Sequence, residues 1–152
     1  MKEYELFYLI GEKNKGNFRK IDREVRKIVS DFGGKWQEKQ VTFERRLAYE
    51  IDHQRRGLYV AGRFLLPDKD ERDELGEKAI ENPVARISEQ LSLHKGVLRF
   101  IIVDAADLPP LMTKEEKEAA AIARKQKEEI SRAGKTDEQG IDDRLKEVLN
   151  VD

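Results

Sequence analysis

The 152-residue chain has no cysteine and only 2 histidines and 4 prolines. Lacking cysteine, it can form no disulfide, thiol nucleophile or thiolate metal site, which suits a reducing compartment. Long apolar runs are missing as well. The longest, such as Phe100 to Val103, are far too short to span a bilayer, and no signal-like segment follows Met1-Lys2-Glu3. A soluble, cytoplasmic protein with no membrane partner is expected. His53 falls in a turn and His94 at a helix end, neither beside a serine or carboxylate constellation, and Gly33-Gly34 follows a helix instead of opening one as a phosphate loop does. No enzyme, metal, cofactor or small-molecule substrate is expected.

Charge is what the chain has in excess: 40% of residues are charged and 38% hydrophobic. Residues 105–152 hold 9 basic and 12 acidic side chains, against 21 and 19 in residues 1–104. Neither balance carries the broad basic signature of a nucleic-acid-binding domain, so any such role rests on local clusters.

Tyr4-Glu5-Leu6-Phe7-Tyr8-Leu9-Ile10 reads as a strand that is apolar on both faces. Phe18, Ile21, Val25, Ile28, Val29 and Phe32 then recur at helical spacing, and Gly33 stops the helix. A second strand runs from about Trp36 through Val41 and Phe43 into Arg45-Arg46-Leu47-Ala48-Tyr49-Glu50-Ile51. There Leu47, Tyr49 and Ile51 alternate against Arg46, Ala48 and Glu50. The polar connector Asp52 to Gly57 turns the chain into a returning strand, Leu58 to Leu66. Asn82 as N-cap and Pro83 in the first turn open a second helix that closes by Gly96, and Val97 to Val103 is the last strand.

The order β-α-β-β-α-β predicts an α+β, ferredoxin-like sandwich: a four-stranded antiparallel sheet with two helices on one face. This domain spans 1–104. Residues 68–82 form a charged insertion, with a helical piece expected around Glu71 to Ile80. Residues 105–152 form a charged, partly helical C-terminal extension: Leu108-Pro109-Pro110-Leu111 breaks the chain, and Thr113 with Glu116 offers a capping box for a helix over Lys114 to Arg132. Gly134 to Gly140 is a second break before a short amphipathic piece marked by Ile141, Leu145, Val148 and Leu149. With so little apolar surface the extension is expected to be mobile until a partner orders it.

The segments Tyr4-Glu5-Leu6, Arg45-Arg46-Leu47-Ala48-Tyr49, Gly57-Leu58-Tyr59 and Gly96-Val97-Leu98-Arg99 resemble the bacterial small-subunit ribosomal protein six family over roughly residues 1–104. The Arg-Leu-Ala-Tyr core is the most specific part. The resemblance implies a structural, non-catalytic role in the small ribosomal subunit, binding 16S ribosomal RNA together with ribosomal protein eighteen of that subunit.

Arg45 and Arg46 are candidates for RNA phosphate, since guanidinium groups make paired hydrogen bonds to its oxygens. The competing reading is an ion pair with Glu44 or Glu50, and the resemblance favours RNA. Lys2 and Arg99 join them if the first and last strands neighbour each other centrally. Alternation puts Leu6, Tyr8, Ile10, Val60, Phe64, Leu98, Phe100 and Ile102 toward the helices, and Phe7, Leu9, Tyr59, Arg63, Arg99 and Ile101 on the opposite face. Such an apolar open face needs a cover. The tail or self-association could supply one; the family reading makes Phe7, Leu9, Tyr49, Tyr59, Arg63 and Ile101 partner-binding. Base stacking ranks lowest, because no RNA-recognition aromatic signature is present. The alternative function is a ferredoxin-like regulatory or ligand-binding domain that self-associates through this face. Arg55-Arg56, Lys13, Lys15 and Arg19 are weaker basic spots.

Overall fold

The structure, a computed structural model, describes the backbone of residues 1–149 and the side chains of residues 1–135. Strand β1 (Lys2–Gly11) leads through a 3-10 stretch into helix α1 (Phe18–Asp31). Strands β2 (Lys35–Ile51) and β3 (Gln54–Leu66) form a long hairpin, followed by helices α2 (Lys69–Leu75) and α3 (Pro83–Leu93), strand β4 (Arg99–Asp104) and helix α4 (Lys114–Leu149). The four strands pair antiparallel in the order β2-β3-β1-β4. This is the ferredoxin-like arrangement expected from the sequence. The first and last strands do pair, but β4 lies at the edge and not in the centre.

The core follows from two periodicities. In α1, Ile21, Val25 and Val29 stand four apart on one stripe, and in α3 Ile87 and Leu91 do the same. Both stripes close onto Leu6, Tyr8, Ile10, Val60, Phe64 and Leu66 from β1 and β3. Burial of each large apolar side chain contributes about 1.5–3 kcal/mol. Trp36 and Tyr4 stack on either side of Phe64, with ring centroids 6.0 and 5.8 Å away. Gly33, at φ 84, ends α1, and the Gly34 N–H donates to the Val29 carbonyl at 2.9 Å.

A polar knot closes the same layer. Asp22 accepts from the Tyr8 hydroxyl at 2.8 Å, from Gln40 at 2.6 Å and from Arg26 at 2.9 Å. Burial, and then the Asp22 carboxylate, push the Tyr8 hydroxyl far above the ordinary tyrosine range.

Several local expectations change. The hairpin turn is two residues, Asp52 and His53, at φ 48 and 60, so Gln54 to Gly57 belong to the strand. Both central residues are left-handed, the two-residue turn that suits strand twist. Asn82 takes φ 49 before α3 and its side chain makes no cap hydrogen bond; α3 ends at Leu93. The insertion's helix is α2, opened by a capping box in which Asp68 accepts from the Glu71 N–H and Glu71 from the Asp68 N–H; these hydrogen bonds lower both carboxyl pKa values. Leu98 precedes β4 and packs with Leu9 and Tyr59 on the open side, not with the helices.

Met1–Leu111 is one compact unit and Met112–Asp152 another. In the second, the Thr113–Glu116 capping box forms in both directions, at 2.8 and 3.2 Å. Helix α4 then runs through Gly134 and Gly140 without the expected break. Glycine costs a helix interior about 1 kcal/mol relative to alanine but does not forbid it. The Ile141, Leu145, Val148 and Leu149 side chains lie outside those described.

Candidate functional site

Strand alternation sorts the hairpin by face. Phe43, Arg45 and Leu47 point to the open side with Tyr59, while Glu44 and Arg46 point to the other side with Leu58 and Arg56; directly opposite residues share a face, and Phe43 pairs with Tyr59, Arg45 with Gly57, and Arg46 with Arg56. The two adjacent arginines therefore serve different surfaces. Neither takes the ion pair weighed for it: Glu44 goes to Lys15, and Glu50 lies 3.9 Å from Arg55 and 3.6 Å from His53.

On the open face three rings form a continuous platform. Tyr59 stacks on both Phe7 and Phe43, with centroids 5.4 and 5.1 Å away, and those two rings lie 6.2 Å from each other. Beside it runs a groove of about 280 Å³ lined by Phe7, Leu9, Leu47, Tyr49, Ile51, Tyr59, Arg99 and Ile101. Its rim is open to solvent: Tyr49 is 69% and Ile101 54% exposed. Its floor is not. Leu9 is 4% exposed under Leu47 and Ile51, so it supports the groove and is not offered to a partner. Tyr49 departs from its neighbours Leu47 and Ile51, which are buried.

Arg63 also departs from its expected role. The residue is 8% exposed, and its guanidinium is hydrogen-bonded to Glu5 at 3.0 Å and to the Pro109 carbonyl. The segment after β4 thus lies over this end of the open face, and Arg63 fastens it. Ala105, 2% exposed, donates its N–H to the Glu3 carbonyl at 3.0 Å and begins that crossing.

The four predicted phosphate contacts do not meet. Arg99 pairs with Leu9, and β1 ends at Gly11 opposite Gly57, the residue paired with Arg45, so Arg45 and Arg99 flank one end of the sheet. Lys2 pairs with Leu66 at the other end. Seven residue steps from Lys2 to Leu9 span about 23 Å at 3.3 Å per residue. Lys2 is also engaged: its ammonium lies 2.8 Å from Asp104, which lowers the Asp104 pKa and raises its own. Arg45, Arg46 and Arg56 have no ion-pair partner among the described residues, and Arg99 donates only to its neighbour's carbonyl, that of Leu98, at 2.7 Å.

Sequence reasoning missed two further residues. Phe43 belongs to the aromatic platform, a signal present in its two-residue spacing from Arg45, which puts both on one face. Gln54, 2% exposed, accepts from the Lys13 N–H at 3.0 Å and lies against Gly11 where a side chain at that position would collide with it. It ties the hairpin to the chain following β1, and nothing in its local sequence announces this.

Among the described residues no three histidine, aspartate or glutamate side chains come together as a metal site, and no helix is long and apolar enough to cross a membrane. What the surface offers is an apolar groove with cations at its margin. The family model of ribosomal protein S6 matches residues 3–104, all four strands together with α1 to α3.

The chain belongs to the ribosomal protein S6 family.

It is thus a small-subunit ribosomal protein by family, and that family is structural and not enzymatic. A crystal structure of 30S ribosomal protein S6 from Thermotoga maritima is similar in fold, with a TM-score of 0.55 and 21% identity, covering 79% of this chain and 96% of that one. No curated protein matches. The S6 match stops at the end of β4, so α4 lies beyond it.

Proposed function

We propose that this S6-family protein is a structural component of the small ribosomal subunit, acting in the cytoplasm on the ribosome, where it binds 16S ribosomal RNA together with ribosomal protein eighteen. The observation that carries the reading is the solvent-open aromatic groove bordered by unpaired arginines on a chain of this family. An apolar strip at the Phe7, Tyr59 and Ile101 groove meets the partner protein, with Tyr49 closing over it. Arg45 and Arg99 lie where the partner and RNA meet, and Arg46 faces RNA from the other side of the hairpin. Their phosphate contacts give affinity that falls with salt and reads no base sequence. Lys2 takes part only by leaving Asp104, so it contributes least.

The test is affinity of the isolated protein for a central-domain fragment of 16S ribosomal RNA, measured with and without ribosomal protein eighteen. The partner tightens binding at least tenfold. Equal affinity in both arms contradicts joint binding, and a dimer indifferent to RNA supports the self-associating regulatory domain in its place.

A further inference from the structure

Arg46 and Arg56 stand directly opposite each other across the β2–β3 ladder and share a face. Both are exposed, and neither has an ion-pair partner among the described residues. Directly opposed residues have Cβ atoms about 4.5–5.5 Å apart, and like charges so placed repel. The surroundings neutralise them only in part, and neither guanidinium is ion-paired among the described residues. Glu44, next on that face, is taken by Lys15, leaving Glu12 as the remaining carboxylate of the hollow of about 190 Å³ that Arg56 lines. The free hairpin thus carries a destabilising couple that an anion between the two guanidinium groups relieves. A phosphodiester oxygen pair fits: each planar fork donates two parallel hydrogen bonds, and both forks reach one phosphate from this separation.

We propose that Arg46 and Arg56 form a two-arginine clamp on a single backbone phosphate of RNA, on the face of the hairpin turned away from the aromatic groove. The clamp rests on the RNA-binding reading above and deepens it. It separates the paired arginines by role: Arg46 works with its cross-strand neighbour Arg56, while its sequence neighbour Arg45 works on the other surface.

Arg46→Gln, Arg56→Gln and the double variant are compared for affinity to the central-domain RNA fragment across a salt series. Each single substitution weakens binding roughly tenfold, the worth of a charge-assisted hydrogen-bonded contact. The double variant falls only about twofold further, because one phosphate is shared, and its dependence of log affinity on log salt flattens by about 0.9, one phosphate and not two. In the free protein Arg56→Gln raises the thermal midpoint at low salt, and the gain fades at high salt as the repulsion is screened. If the wild type binds RNA while Arg56→Gln matches it in affinity and salt slope, the clamp is overturned and the RNA reading stands. Losses that simply add, with twice the change in slope, also overturn the shared phosphate. A wild type with no salt-dependent affinity for the fragment removes the RNA reading and the clamp together.

Discussion

The two faces of the sheet are both rich in apolar side chains, yet they are closed in different ways. On the helix face, Leu6, Tyr8, Ile10, Val60 and Phe64 are fully buried beneath stripes from α1 and α3. On the open face no helix of the sheet unit takes part in the apolar cluster, and burial is piecemeal: the hairpin tip covers Leu9 through Leu47 and Ile51, and the segment from Ala105 to Leu111 is fastened over Arg63. Between these two covers the Phe7–Tyr59–Phe43 platform and the groove to Ile101 are left open. One face spends its apolar surface on the fold. The other leaves part of it open to solvent.

The contrast is sharpest under substitution. Phe64→Ala removes the ring held between Trp36 and Tyr4 and is expected to cost about 3–5 kcal/mol in chemical denaturation. Arg63→Met on the open face leaves Glu5 without its partner and releases Pro109, at an expected cost of roughly 2–3 kcal/mol. Amide exchange then quickens first over residues 105–111; an unchanged exchange pattern there would show that Arg63 fastens nothing.

Tyr8 gives the helix face a pH signature. Its folded pKa is raised above the unfolded value near 10. The folded state therefore holds a proton that the unfolded state releases. The stability Tyr8 contributes is complete below that value and declines as pH rises above it, by up to about 1.4 kcal/mol per pH unit. Absorbance titration of the native protein shows at least one of the 4 tyrosines ionising only on unfolding, and Tyr8→Phe abolishes that late step.

Smaller effects belong to surfaces the fold does not need. Removal of residues 113–152 is expected to change the unfolding free energy of the sheet unit by less than about 0.5 kcal/mol. In the free protein α4 is expected to exchange its amides faster than β1 and β3, and equal protection would contradict the view that the extension gains order mainly in the assembled particle.

The helix face was legible in the sequence because each of its residues follows a local period: two for β1 and β3, 3.6 for α1 and α3. The open face was legible only as far as alternation reaches. Phe7, Tyr59 and Ile101 fall where period two puts them. Leu9 and Arg63 share that alternation and are nonetheless covered, because what covers them comes from 38 to 46 residues away, at Leu47 and Pro109. The same holds for charge. Adjacency joined Arg45 to Arg46, whereas register joins Arg46 to Arg56, and that register is set by an irregularity between Arg46 and Ile51 as well as by the left-handed turn at Asp52-His53, which lacks the usual glycine. Lys2 stands apart from the arginines for a related reason: pairing of β1 with β4 brings Arg99 beside Leu9, while Lys2 lies at the far end against Asp104.

The division of labour between the faces is tested most directly by Ile101→Lys, read in two ways on one protein. The side chain is more than half exposed at the groove's rim. The account predicts an unfolding free energy within about 0.5 kcal/mol of wild type, together with loss of the gain in RNA affinity that ribosomal protein eighteen confers. A variant that unfolds several kcal/mol more easily, or one whose partner-dependent gain survives intact, contradicts it.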